Sequence, residues 1–97
     1  METPETPTGF RSAWAQYSIL SDKRDAISAK LKDEGVPTAI YYSIPMHLQA
    51  AYRDYGEGAG SCPVSEKLAK RVLSLPMHPY LDDDTIERVA GIVRAAA

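Results

Sequence analysis

Cysteine, phenylalanine and tryptophan are nearly absent from this chain, with one of each among 97 residues. With Cys62 alone, an internal disulfide is excluded, and so is a zinc site built from several thiolates. Apolar runs are short, and none approaches the roughly 20 residues a helix needs to cross a bilayer. The opening Met1-Glu2-Thr3-Pro4-Glu5 has neither the basic nor the apolar region of a secretory signal, so a cytoplasmic location is expected. Positive charge is not concentrated anywhere. Lysine and arginine total 11 against 13 acidic residues, a net charge of −2, and they are scattered along the chain. A phosphate backbone is held by clustered cations, so no nucleic-acid partner is expected.

What is present is the composition of an ordinary globular domain, 44% hydrophobic and 25% charged. The length allows one domain with one modest core. In so short a chain a large internal cavity would compete with that core for apolar side chains, which disfavours a self-contained enzyme.

Residues 1–9 combine prolines, threonines and a glycine and read as a linker or frayed tail, leaving 10–97 as the folded unit. Ala13 to Leu20 alternates, with Tyr17 and Ile19 on one face and Ser18 and Leu20 on the other, and predicts a strand. A helix follows over 23–34: Asp22 stands as its N-cap, Ile27 and Leu31 lie one turn apart, and Gly35 offers a left-handed stop. Val36 to Tyr42 is rich in β-branched and aromatic residues and predicts a second strand. Pro45 stops it, a short helix is expected over Leu48 to Tyr55, and Gly56 to Gly60 forms a loop. Pro63 suits the first helical position, with Ser61 or Cys62 as cap and Val64, Leu68 and Val72 as an apolar stripe. Leu73 to Met77 reads as a short buried strand, placed at a sheet edge by Pro76. Asp82, Asp83 and Asp84 suit a helix N-terminus, and Ile86, Val89, Ala90 and Val93 trace the stripe of a final helix. Three strands sharing one helical layer make an α+β fold, a two-layer sandwich.

Few residues offer chemistry. His47 leaves a strand end beside Pro45, where scaffolds present functional groups; a surface histidine packed on a proline is the other reading. His78 stands at no metal-ligand spacing from it. Tyr41 and Tyr42, adjacent on the expected strand, should point to opposite faces, so that one can cover the core and the other meet a ligand. Tyr52, Arg53 and Tyr55 could stack on a nucleotide, but packing down on a neighbour is the commoner role of such a turn. Gly56, Gly58 and Gly60 lack the strand and the Lys-Ser/Thr continuation of a phosphate loop. Cys62 has no identifiable base, and the aspartate run is explained by helix capping.

Three segments taken together resemble a known family: Ser12-Ala-Trp-Ala-Gln-Tyr17, Gly35-Val-Pro-Thr-Ala-Ile-Tyr-Tyr-Ser-Ile-Pro-Met-His-Leu-Gln49, and Leu73-Ser-Leu-Pro-Met-His-Pro79. In order and spacing they are similar to the C-terminal part of the DegT family of pyridoxal-phosphate-dependent sugar aminotransferases, particularly those acting on UDP-linked sugars. Ser43 departs from the family, which often has proline there. The resemblance implies the small domain of a fold type I aminotransferase. A large upstream domain would carry the Schiff-base lysine and most of the cofactor site, so that these 97 residues alone bind no cofactor and do not transaminate. It also implies that Tyr41, Tyr42 and His47 are substrate-binding, on the sugar-nucleotide side, that an amino-acid donor is the second substrate, and that the parent enzyme is a homodimer. The competing expectation is a stand-alone α+β module that binds a small ligand or pairs with itself.

Overall fold

Alternation puts Tyr17 and Ile19 on one side of a strand, and in the computed structural model, which describes residues 1–97, that side faces the core. Strand β1 (Tyr17–Leu20) pairs antiparallel with β2 (Val72–Leu75), in the register Tyr17↔Leu75, Ser18↔Ser74, Ile19↔Leu73, Leu20↔Val72. Between them come helix α1 (Arg24–Asp33), two 3₁₀ turns (Met46–Leu48 and Ala50–Tyr55) and helix α2 (Pro63–Arg71); helix α3 (Asp83–Ala96) closes the chain. The fold is α+β, and no helix is long and apolar enough to cross a membrane.

The core is one cluster, Ile19, Ile27, Leu31, Val36, Leu73, Val89 and Val93. It lies between one face of the strand pair and helices α1 and α3, which pack on each other. The opposite face carries Ser18 and Ser74, whose hydroxyls share a 2.7 Å hydrogen bond, together with Leu20 and Val72. Helix ends follow the local chemistry. Asp82 Oδ1 accepts from the Thr85 amide at 2.7 Å to start α3, Pro63 takes the first position of α2, and Gly35 ends α1 at φ +75°. Asp22 is not the cap of α1. Ser21 Oγ accepts from the Lys23 amide, while Asp22 turns outward to Arg71 Nε at 2.7 Å.

The sheet has two strands where three were expected. Val36 to Tyr42 contributes one antiparallel bridge, Ala39 to Ser74. Pro37 has no amide to donate, and Tyr42, at φ +56°, turns the chain away from β2. The first strand is also shorter than its alternation suggested, because Trp14 takes φ +47° and so cannot continue the ladder. Ahead of it, Glu2 makes a bridge to Leu20 and its carboxylate meets Arg71 at 2.8 Å. Two expected core stripes are only partly inside: Ile86 is 48% exposed and Val64 69%, while Ile92, Ala96 and Ala69 turn inward instead.

The molecule is open for its size. It exposes 7308 Å², whereas a compact monomer of this mass exposes about 5,500 Å² by the usual surface scaling. Part of that surface lies in the segment between Ala39 and Pro63, where Tyr41, Tyr42, Ile44, Met46, Leu48, Tyr52 and Tyr55 all stand exposed.

Candidate functional site

That segment forms one wall of an open groove of about 750 Å³, within the range of small-molecule sites. Leu20 and Val72, on the sheet face turned away from the core, join Leu68 and Ala69 of α2 on one side. The other side is Tyr41, Tyr42, Ile44, Met46, His47, Tyr52 and Tyr55. The stripe of α2 that was expected to enter the core therefore lines the groove at Leu68 and Val72. The lining is apolar and aromatic, with phenols, Gln49, Ser65 and an imidazole as its polar points.

Tyr41, Tyr42 and His47 come together here. The chain here is a turn, so alternation does not apply; both tyrosines line this groove, and Tyr41 also borders a second hollow beside Ala39 and Ser74. Tyr42 is 87% exposed with its backbone in the left-handed region, an arrangement that costs energy for a bulky side chain and is concentrated at functional sites. Tyr52 and Tyr55 line the same groove, and neither joins the core.

His47 is held, not free. Its Nε2 lies 2.9 Å from Glu66 Oε1, and its side chain is 11% exposed. The same oxygen accepts from the Gly60 amide at 2.7 Å and the Cys62 amide at 3.4 Å. The hydrogen bonds from His47 and Gly60 hold the Glu66 carboxyl below its usual range. Glu66 was missed in the sequence, where its one signal was an acid in the first turn of a helix that follows a glycine loop. Gly56 packs against His47 so tightly that a Cβ there would stand 3.0 Å from the histidine Cβ. Cys62 reaches the groove but its side chain caps nothing, and His78 Nδ1 accepts from the Tyr80 amide, away from it. No cluster of three or more metal-ligating side chains occurs.

Residues 1–94 match the model of the DegT/DnrJ/EryC1/StrS aminotransferase family. The chain belongs to that family. A UDP-N-acetyl-3-dehydro-alpha-D-glucosamine 3-aminotransferase of Acidithiobacillus ferrooxidans is 42% identical over 97% of this chain and 25% of its own length. A dTDP-3-amino-3,4,6-trideoxy-alpha-D-glucose transaminase of Streptomyces venezuelae is 33% identical over 94% of this chain and 24% of its own. Among solved structures, a DegT DnrJ EryC1 StrS aminotransferase from Brucella abortus superposes with a TM-score of 0.88 at 52% identity, covering 97% of this chain and 25% of that one. The chain thus spans about a quarter of the length of the relatives it matches.

The DegT/DnrJ/EryC1/StrS family depends on pyridoxal phosphate, which is held through a lysine. Here Lys23, Lys30, Lys32, Lys67 and Lys70 are all exposed, on α1, on α2 or at the turn into α1, and none lines the groove. These residues do not fit as the attachment point of the cofactor. What the groove itself can do is bind and orient: it offers aromatic faces, phenol hydroxyls and a shielded imidazole to a ligand with apolar and hydrogen-bonding parts.

Proposed function

We propose that this chain is the small domain of a fold type I sugar-nucleotide aminotransferase and supplies the substrate-side wall of its active site. In this reading the whole enzyme, a cytoplasmic homodimer, converts a keto sugar nucleotide to an amino sugar with an amino-acid donor. The cofactor and its lysine belong to the part of the enzyme outside these 97 residues. Tyr41 and Tyr42 present phenols to the sugar nucleotide, and His47 backs them with its Nε2 already engaged. A UDP-linked substrate is favoured over a dTDP-linked one because the UDP-sugar relative is 42% identical and the dTDP-sugar relative 33%.

The observation that carries the reading is the placement of Tyr41, Tyr42 and His47 in one open groove, on a chain whose excess exposed surface suits a unit built against a larger body. The test is a chimaera in which this chain replaces the matching quarter of the Acidithiobacillus ferrooxidans relative. A cofactor-loaded protein that aminates the relative's sugar nucleotide is expected. A folded, cofactor-loaded protein with no such activity contradicts the proposal, and ligand binding by the 97-residue chain alone at full affinity would favour an independent binding module.

A further inference from the structure

The groove wall has no core of its own. From Tyr41 to Tyr55 no residue is buried, so the core does not hold the tyrosines in place. The sheet lets go of the chain at Ala39, its last bridge to β2. Beyond that point, every hydrogen bond that residues 40–62 make outside their own stretch runs to one residue, Glu66. Three of them end on a single oxygen, Oε1, and their donors come from three places: the first 3₁₀ turn through His47, the end of the glycine loop through Gly60, and the start of α2 through Cys62.

An acid in the first turn of a helix ordinarily satisfies that helix's own amides, and the Cys62 contact, at 3.4 Å, is the longest of the three. The two short contacts, 2.7 and 2.9 Å, reach out of the helix to the groove segment. His47 carries the constraint further. Its Cβ abuts Gly56, which caps the second 3₁₀ turn, the turn that carries Tyr52 and Tyr55.

We propose that Glu66 is the positioning residue of the groove: it does not meet the ligand, but through His47 and the Gly60 amide it fixes the wall formed by Tyr41, Tyr42, Tyr52 and Tyr55. The proposal rests on the substrate reading above only for its effect on catalysis; the tie itself is a property of this chain. One further consequence follows for His47. To donate to Glu66 its Nε2 must carry hydrogen, so the neutral ring is the Nε2–H tautomer.

The test uses the 97-residue chain, nitrogen-labelled, with three variants. In Glu66→Ala, the amides of Leu48, Gln49 and Tyr52 should exchange about tenfold faster or more, while those of α3 change by less than about twofold. Glu66→Gln keeps an acceptor for Gly60 and should fall between. His47→Ala cuts the tie without touching the start of α2 and should loosen the same three amides. A wild-type neutral imidazole found as the Nδ1–H tautomer would overturn the His47–Glu66 bond, because Nε2 could not then donate. Unchanged exchange at Leu48, Gln49 and Tyr52 in Glu66→Ala overturns the proposal. Equal acceleration in α3 also overturns it, because Glu66 would then act on global stability. So does a His47→Ala chain that stays tight, because the loosening would then come from the helix start. In the chimaera, Glu66→Ala should raise KM for the sugar nucleotide about tenfold with kcat within about threefold. Loosening in the chain without that rise supports the tie and overturns the substrate reading of the groove instead.

Discussion

Leu73→Ala measures how far this fold depends on its single small core. Leu73 is fully buried in β2, opposite Ile19, within the cluster of seven buried residues. Removing three carbons forfeits about 2.4 kcal/mol at roughly 0.8 kcal/mol each. The neighbouring backbone is fixed by pairing on both sides, to β1 and to Ala39, so the void cannot close fully; a residual 40 Å³ adds about 1 kcal/mol. The expected loss is therefore about 3 to 4 kcal/mol. Whole domains are stable by roughly 0.05 to 0.15 kcal/mol per residue, and a chain this open should lie near the lower end. The variant should melt roughly 15 to 25 °C lower. Urea unfolding followed by far-ultraviolet dichroism and by Trp14 fluorescence reads it, since the Trp14 ring lies 5.4 Å from Tyr17, itself packed on the core. Ile86→Ala is the control. Ile86 sits on the apolar stripe of α3 yet is 48% exposed, and alanine is the better helix former, so its cost should stay under about 1 kcal/mol. Equal losses for the two variants, or a Leu73→Ala loss under about 1 kcal/mol, would refute this packing.

Gly91 lies inside α3 with nothing within 4 Å of an added Cβ, so Gly91→Ala should stabilise by roughly 0.5 to 1 kcal/mol, read as a higher urea midpoint. The carboxyls of Glu34, Glu66 and Asp82 are all held below their ordinary values: Glu34 by its hydrogen bond and charge pairing with Lys30, Glu66 chiefly by His47, Asp82 by the Thr85 hydrogen bonds. A depressed folded value means that their stabilisation is present above the ordinary range and lost as pH falls through the lowered values. Midpoints should thus be flat down to about pH 5 and fall below pH 4.5, and Asp82→Asn should flatten that acid limb. The 97-residue chain mixed with pyridoxal phosphate should give no stoichiometric, borohydride-trapped adduct at one defined lysine, because none of its lysines is shielded or placed in the groove; a single labelled lysine would contradict that.

What could be read from the sequence was what neighbours in the chain decide. Pro63 at a helix start, Gly35 at a left-handed stop and Asp82 before Thr85 are local chemistry, and the structure keeps all three. Val36 to Tyr42 misled because strand propensity is a statement about a half-buried surface. Its aromatic end is indeed a surface, but of a groove and not of a sheet. Alternation then assigned Tyr41 and Tyr42 to opposite faces, and a left-handed residue removed the premise. The stripe of α2 was real, and its destination was not legible: an apolar face announces that it will be covered, and here part of it is left facing the groove. Glu66 and His47 are 19 residues apart in the chain. No period or motif links such a pair, so their contact could not be read before the chain was folded.

In the proposed enzyme the groove of this chain faces the sugar nucleotide and not the amino donor. The two half-reactions of the chimaera, measured separately with Tyr41 and Tyr42 both changed to phenylalanine, distinguish these orientations. Loss of a phenol hydrogen bond to a charged ligand is worth roughly 1.5 to 3 kcal/mol, so kcat/KM for the sugar-nucleotide half-reaction should fall on the order of tenfold to a hundredfold. The amino-donor half-reaction should change by less than about twofold, with cofactor content unaltered. An equal fall in both half-reactions, or no change in either, would contradict the claim.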